Sequence, residues 1–536
     1  MDLDRLDIRS FLEQTVERNP DAPFLIWEDE EQTYRAFDDR VDAAAALWHE
    51  IGVRKGDRVA FMADNSPGFL TAWLALAKLG AVLVAVNTGF KQQEAGYLVG
   101  HSEARFALVE PAHEDMFRRI GKDTPSLERT FSLGPTEAFE DFLTAATGFS
   151  GPAPAADLRG DDLVSLIYTS GTTGHPKGVM QTHRNYVLTG QAYRHWMHME
   201  QGDRIYACLP LFHINSQAYS TMAAIAAEGA VVLARRFSAS RFWPDIRRHR
   251  VNVFNFIGAM TVILSKSDPS PEDKDHCVRV AYGVPALPPD VRAQIEERFG
   301  LACISGFGMS ETTFGLLEPP FGERRPGTMG VPRHHPDPTV PRTEARIVDA
   351  TGKEVPRGQV GELVLRNAAL MTGYFKDPDR TAEALRDGWL FTGDSARQDD
   401  DGWFYFVDRK KDIVRRRGEN VSSLEVENVL AEHPDVREVA VIGVPSELTD
   451  EELAALVVPQ PGAAIDPAEL VAWCAERLAP FKVPRYVEVV AVLPKTPTAK
   501  VEKHRIRSGD YAAGERVDVA PPQHRSPGPA PTADRT

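Results

Sequence analysis

Cysteine is scarce: four in 536 residues, Cys208, Cys277, Cys303 and Cys474. None forms a C-x-x-C pair or sits with histidine at metal-ligand spacing. This excludes a disulfide scaffold or zinc framework and fits a reducing compartment. Positive charge is outnumbered, 61 Lys and Arg against 77 Asp and Glu, for a net charge of -16. The summed field therefore repels phosphate backbones and anionic membranes, which excludes a general nucleic-acid binder. No apolar run is both long and unbroken enough to span a bilayer, because the nearest, Phe69 to Val86, is interrupted by Lys78 and Gly80. The opening MDLDRLDIRS has no basic region leading into an apolar stretch and does not read as a secretory signal. Together these absences predict a soluble, cytoplasmic protein with no membrane span.

What is present is ordinary globular material, 43% apolar and 26% charged residues in a chain long enough for several lobes. FLTAWLALAKLG reads as a buried helix and AVLVAV as a buried strand, and the same helix, glycine, strand pattern returns at TMAAIAAEG and AVVLARRF (Thr221 to Phe237). Strands such as DRVAFMA, RFALVE and NVFNFI alternate with amphipathic helices, the texture of parallel α/β layers. Near residue 350 it turns β-rich, in EARIVDATGKEV, GELVLRN and GWFYFVDRKKDIV. A compact α/β stretch follows from GENVSSLEVENVL, where Ser422 and Glu425 are spaced as a capping box. We place a domain boundary at Lys410 to Asp412. The Pro-, Ala- and Gly-rich end lacks apolar periodicity and is expected to be disordered.

The densest chemical signal is YTSGTTGHPKGVM, Tyr168 to Met180, after the apolar strand LVSLI. Glycines let backbone N–H groups approach an anion, Ser and Thr add neutral donors, and Lys177 adds a point charge, so the run reads as a phosphate loop. It is not a Walker loop, because His175 and Pro176 follow Gly174. After it come LPLFHINSQ, GFGMSETT, GELV, FTGD, DRKKDIVRRRGEN and PKTPTAK.

In this order the motifs resemble the adenylate-forming superfamily of acyl-CoA synthetases, adenylation domains and luciferases over nearly the whole chain, most like an acid:CoA ligase. The resemblance implies a large N-terminal domain of layered α/β subdomains plus a β-rich subdomain (1–410, ATP and acyl pocket), a small mobile α/β C-terminal domain (411–510) and a disordered tail (511–536). It implies ATP, Mg²⁺ and CoA, and a carboxylic acid activated as acyl-adenylate before transfer to CoA. In the loop Thr169, Ser170, Gly171, Thr172, Thr173, Gly174 and Lys177 would hold the phosphates. Phe307 would stack on adenine, with Gly308, Met309 and Ser310 beside it and Glu311 holding Mg²⁺. Asp394 and Arg409 would contact the ribose. His213 would gate the acyl site, Lys500 would be the catalytic lysine, Lys411 the hinge, and Gly418 would line the CoA tunnel. The acyl pocket would draw on Ile214, Ser216, Gln217, Phe256, Ile257, Met260 and Gly306, mostly apolar, which favours an aliphatic or aromatic acid of modest size.

The sequence departs from the family's pattern at Ala499, where glycine is usual, and at Val284 within Gly283, Val284 and Pro285, beside the adenine and acyl sites. It departs again at Arg415 to Arg417, a run that reads either as a match to CoA phosphates or as a solvated face. A stand-alone adenylating enzyme serving a carrier protein, or another nucleophile, shares these motifs, as does a luciferase-like oxygenase. A non-catalytic nucleotide-binding relative is expected to lose Lys177, Glu311, Asp394 or Lys500, and all four are present. Oligomeric state has no signature in the chain.

Overall fold

The computed structural model describes residues 1–169, 176–265, 267–284, 286–409, 412–416, 419–445, 451–478, 480–495, 500–511 and 516–519. The chain divides into two compact units. The first comprises Met1–Gln359, Leu363–Thr392 and Gln398–Tyr405, and the second comprises Val360–Glu362, Gly393–Arg397 and the chain from Phe406 onward.

The first unit is layered α/β. In one sheet, strands Leu163–Thr169, Val82–Ala85, Arg58–Met62 and Phe106–Val109 lie side by side in that order and run parallel to one another. Burial on both faces explains their continuous apolar runs. Helix Pro67–Leu79 is capped by Ser66, which accepts from Phe69 N–H, and ends at Gly80 with φ +71°. A side chain at Gly80 would be strained and would come within 2.7 Å of Leu158. Lys78, which interrupts the apolar run, is 1% exposed, its ammonium 2.7 Å from Asp38 and 2.5 Å from Asp42. Its charge is kept inside by paired carboxylates. No helix among the described residues is long and apolar enough to cross a membrane.

The second sheet carries the parallel series Ala230–Leu233, Arg204–Ala207, Val253–Ile257, Val280–Val284 and Ala302–Met309, then turns back antiparallel through Thr312–Leu317. The second helix, glycine, strand unit lies here, and a Cβ at Gly229 would overlap the Asp203 carbonyl. The helix read at TMAAIAAEG is present as Met222–Ala226, with a segment ahead of it that the pattern did not describe. That segment is a π-helix, Asn215–Thr221. Such wide turns concentrate at functional sites.

The β-rich stretch expected near residue 350 holds strands Glu344–Val348, Val360–Arg366, Trp389–Gln398 and Phe404–Arg409. In the second unit Ser422 accepts from Glu425 N–H at 3.2 Å to start helix Ser423–Ala431. The Glu425 carboxylate pairs with Lys482 at 2.6 Å. Strand Glu451–Pro459 runs antiparallel to Val436–Pro445 and parallel to Tyr486–Val489. Within the expected tail, Arg516–Asp518 forms a strand against Tyr486–Val489, with Arg485 and Asp518 paired across the ladder at 2.8 Å. Apolar periodicity gave no sign of that strand, because cross-strand ion pairs accompany it.

Candidate active site

Strand Leu163–Thr169 ends at the Gly-rich loop and the chain returns antiparallel as Lys177–Thr182, with Thr169 opposite Lys177. Ser170, Gly171, Thr172, Thr173 and Gly174 lie outside the described residues, as do Pro285, Lys411, Arg417, Gly418 and Ala499. On the outer edge of the returning strand, Gly373–Tyr374 pairs with Met180 and Val179. Gly373 has φ +143°, and a Cβ there would lie 2.7 Å from Thr381 Cγ2, so glycine is required. The residue it delivers, Tyr374, had no motif of its own. The Lys177 ammonium lies 4.3 Å from the Tyr374 ring centroid, and the Tyr374 hydroxyl donates to Glu311 Oε1 at 2.9 Å. One buried tyrosine thus joins the loop lysine to the motif glutamate.

The electrostatics follow from burial. Desolvation lowers Lys177 from its ordinary pKa, with the Glu311 charge opposing. Burial first, then Glu311, push the Tyr374 hydroxyl far above the usual phenol value, so it stays a donor at any working pH. Glu311 is 6% exposed. Among the described residues no group of three or more His, Cys, Asp or Glu is placed to cage a metal. One carboxylate beside a phosphate loop fits Mg²⁺ that arrives on ATP, since that ion takes one or two carboxylates and fills its shell with phosphate oxygens and water.

Backbone contacts hold the Glu311 turn in place. Gln181 Nε2 donates to the Ser310 carbonyl at 2.5 Å, and Met371 N–H donates to the Glu311 carbonyl at 2.8 Å. Asn185 Nδ2 steadies Gln181 at 2.7 Å and reaches the Leu370 carbonyl at 3.0 Å. Met309 packs beside Met371 and Tyr374. Phe307 lies near the end of strand Ala302–Met309, opposite Leu316. A Cβ at Gly306 would meet the Leu316 carbonyl at 2.7 Å and the Tyr282 ring at 2.9 Å, and one at Gly308 would meet the Tyr219 hydroxyl at 3.1 Å.

His213 and Ile214 precede the π-helix, His213 edge-on to Phe212 at 4.8 Å. Ser216 Oγ donates to the Leu209 carbonyl at 2.6 Å, and Gln217 Nε2 to the Leu211 carbonyl at 2.5 Å, while Gln217 Oε1 accepts from the Tyr186 hydroxyl. Their polar ends are therefore engaged within the protein. Phe256 and Ile257 lie opposite Gly283 and Val284, and a Cβ on Gly283 would overlap the Phe256 ring. Met260 is buried in the same apolar cluster as Phe256. Asn255 Nδ2 donates to Asn215 Oδ1 at 2.9 Å and its Oδ1 accepts from the Tyr193 hydroxyl.

Asp394, Arg409 and Lys500 belong to the second unit. Asp394 is buried on strand Trp389–Gln398, Arg409 ends strand Phe404–Arg409, and Lys500 is exposed. Arg416, one of the three arginines read as facing CoA or solvent, does neither. It is 2% exposed, and its Nε lies 2.6 Å from Glu452 Oε2, itself 2% exposed. Arg416 Nη1 donates to the Val483 carbonyl at 2.9 Å. The strand turns it inward toward a buried carboxylate 36 positions further along the chain, a pairing no local pattern announces.

Residues 12–375 match the family described as AMP-binding enzyme, and residues 425–500 match the AMP-binding enzyme C-terminal domain. The chain is 35% identical over 490 residues to a crotonobetaine/carnitine–CoA ligase of Proteus mirabilis, covering 89% of this chain and 93% of that one. Among solved structures it is similar to ATP-bound MatB from Rhodopseudomonas palustris, with TM-score 0.84 and 27% identity over 93% of this chain and 98% of that one. It is likewise similar to the anthranilate CoA ligase AuaEII in complex with anthranoyl-AMP, with TM-score 0.85 and 27% identity over 95% and 98%.

Proposed function

From the premise that the chain belongs to the AMP-binding enzyme family, we propose that it is an AMP-forming acid:CoA ligase. A substrate carboxylate oxygen bonds to the α-phosphorus of ATP as the bond to the β-phosphate bridging oxygen breaks, giving acyl-adenylate and pyrophosphate. The CoA thiol then bonds to the acyl carbon, its proton goes to solvent, and AMP leaves. The Lys177, Tyr374, Glu311 arrangement carries the reading, because it places a desolvated cation and a carboxylate held by a neutral donor at the foot of a phosphate loop.

The roles follow from charge. Lys177 and the loop from Thr169 to Gly174 take the phosphates, and Phe307 gives adenine a flat face, with Gly283, Val284, Pro285, Gly308, Met309 and Ser310 around it. Glu311 holds Mg²⁺, which when bound neutralises the charge that two anions bring together. Asp394 and Arg409 take the ribose, and Lys500 adds positive charge where carboxylate and phosphate meet. His213 separates nucleotide from acid, Lys411 is the hinge and Gly418 admits the pantetheine arm. The Proteus relative is named for crotonobetaine and carnitine; the acid for this chain is a separate matter. A carrier protein in place of CoA is the second acceptor to test, and the cytoplasm is where ATP and CoA meet such an enzyme.

The test is ATP–pyrophosphate exchange across aliphatic, aromatic and amino acids, repeated as thioester formation with CoA and with carrier proteins. Exchange followed by CoA thioester is expected. If no acid supports exchange or AMP release, the ligase reading fails; exchange without CoA thioester removes CoA alone.

A further inference from the structure

Behind the Phe307 strand lies a small cavity of about 10 Å³ walled by Tyr193, Tyr219, Tyr282, Phe307 and Arg333. That is room for about one water-sized group. The three tyrosines of this wall stand near residues assigned above to the acyl pocket. Tyr282 lies where a Gly306 Cβ would point, Tyr219 belongs to the π-helix that holds Ser216 and Gln217, and the Tyr193 hydroxyl is bound by Asn255, next to Phe256. The three tyrosine rings sit 5.3 to 6.0 Å from one another.

A guanidinium in such a wall needs an account. Arg333 is fixed to the strand Thr312–Leu317, its N–H donating to the Gly315 carbonyl at 3.2 Å and its Nε to the Leu317 carbonyl at 3.0 Å. Its Nη2 is buried and has no acceptor among the described residues. The nearby carboxylate is already taken, because Glu318 accepts from Arg292 Nη1 with both oxygens at 2.9 Å, and from Ser305 and Arg325 N–H at 3.0 and 3.2 Å. Arg292 takes both Glu318 oxygens, so the half-buried Arg333 feels that carboxylate only at a distance while its Nη2 faces no acceptor among the described residues. Burial lowers Arg333 from the ordinary arginine value, with Glu318 opposing. A buried polar atom without a partner marks either strain or a place for a ligand.

We propose that Arg333 sets acid specificity, by pairing with a second carboxylate at the far end of the acyl substrate, so that the protein activates dicarboxylic acids. The proposal rests on the ligase reading and adds the substrate class. Aromatic walls alone would suit a quaternary ammonium. A guanidinium among them repels one and draws an anionic oxygen, the size of group that the cavity admits.

The experiment measures ATP–pyrophosphate exchange with matched monocarboxylic, dicarboxylic and trimethylammonio acids over a series of chain lengths, for the wild type, Arg333→Met and Arg333→Lys. At one chain length the wild type should favour the dicarboxylate over its monocarboxylate counterpart by at least about a hundredfold in kcat/KM, since a site with an unpaired polar group rejects a ligand that leaves it unpaired. Arg333→Met should bring that ratio down to about one, and Arg333→Lys should recover part of it. Thermal melting reports whether each variant is folded, and if one is not, the wild-type ratios decide alone. Exchange with monocarboxylates or trimethylammonio acids at equal or higher kcat/KM overturns the proposal and leaves the ligase reading intact. So does a folded Arg333→Met variant with an unchanged ratio. No exchange with any acid overturns the ligase reading, and the proposal with it.

Discussion

Replacing Tyr374 with phenylalanine isolates one contact at the candidate site. It removes the hydroxyl that donates to Glu311 Oε1 at 2.9 Å and keeps the ring 4.3 Å from the Lys177 ammonium. A hydrogen bond to a charged group contributes about 1.5–3 kcal/mol. If that stabilisation serves the reacting geometry, adenylation should slow by about ten- to a hundredfold in kcat/KM. The loss should appear in the dependence on free Mg²⁺, because Glu311 without its donor is less well oriented for a cation. It should not appear as a large fall in melting temperature, since only one oxygen is deleted. Tyr374→Ala should lose more, as it also removes the ring from the lysine, a contact of about 0.5–2 kcal/mol. The assay is pyrophosphate exchange titrated with Mg²⁺ over a range of acid concentrations that extends below KM, so that kcat/KM is read directly. Wild-type kcat/KM and Mg²⁺ response in a folded Tyr374→Phe protein would refute the assignment of Glu311 as an oriented metal ligand.

Other outcomes follow from single contacts. His183 is fully buried, its Nδ1 accepting from Ile8 N–H at 3.2 Å, and burial lowers it to about 4. The unfolded chain binds a proton near 6.5 that the folded one refuses, so this stability is present above that pH and lost as pH falls toward 4; denaturant titrations at pH 7 and 5 should differ by about 2 kcal/mol more in wild type than in His183→Asn. Gly283→Ala should destabilise by about 1–3 kcal/mol through overlap with the Phe256 ring, and Phe256→Val should relieve most of that in a double-mutant cycle; additive losses would count against the overlap. Glu452→Leu strands Arg416 and should cost about 3–5 kcal/mol by chemical unfolding, whereas adding Arg416→Met should restore most of it. Lys500→Ala should lose ATP-dependent acylation yet still make thioester from synthetic acyl-adenylate and CoA, and equal loss of both half-reactions would count against its role in adenylation alone.

The fold was legible where local chemistry repeats. Helix Pro67–Leu79 shows its cap, its apolar run and its terminal glycine in the chain itself, and the Ser422 cap at Ser423–Ala431 is visible in S-x-x-E. The motif order was enough to group Lys177, Phe307 and Glu311 before any contact was known. What the sequence hid depends on partners far along the chain. Tyr374 lies 63 positions from Glu311, in a two-residue strand too short to have a period. The π-helix Asn215–Thr221 holds only Ala218 and Tyr219 as apolar residues, too few to show any period. Arg416 sits in a run of arginines that looks solvated, and its buried partners, Glu452 and the Val483 carbonyl, lie far along the chain.

The glycines of the candidate site show how one residue type can carry two meanings. Read along the chain, Gly283 and Gly308 look like places where backbone must approach a nucleotide, and Gly306 like a lining of the acyl pocket. In three dimensions each gives its space to an aromatic side chain: Phe256 beside Gly283, Tyr282 beside Gly306, and Tyr219 beside Gly308. These three rings stand on different elements, strand Val253–Ile257, strand Val280–Val284 and π-helix Asn215–Thr221. Pocket shape therefore depends on glycine and aromatic pairs rather than on any single lining residue. Enlarging a glycine collides with a ring, and trimming a ring leaves a void beside a glycine that cannot fill it. A change in the acid accepted should accordingly require substitutions at both members of a pair, whereas Arg333 enters the same wall from outside these pairs and can change the charge of the site without changing its shape.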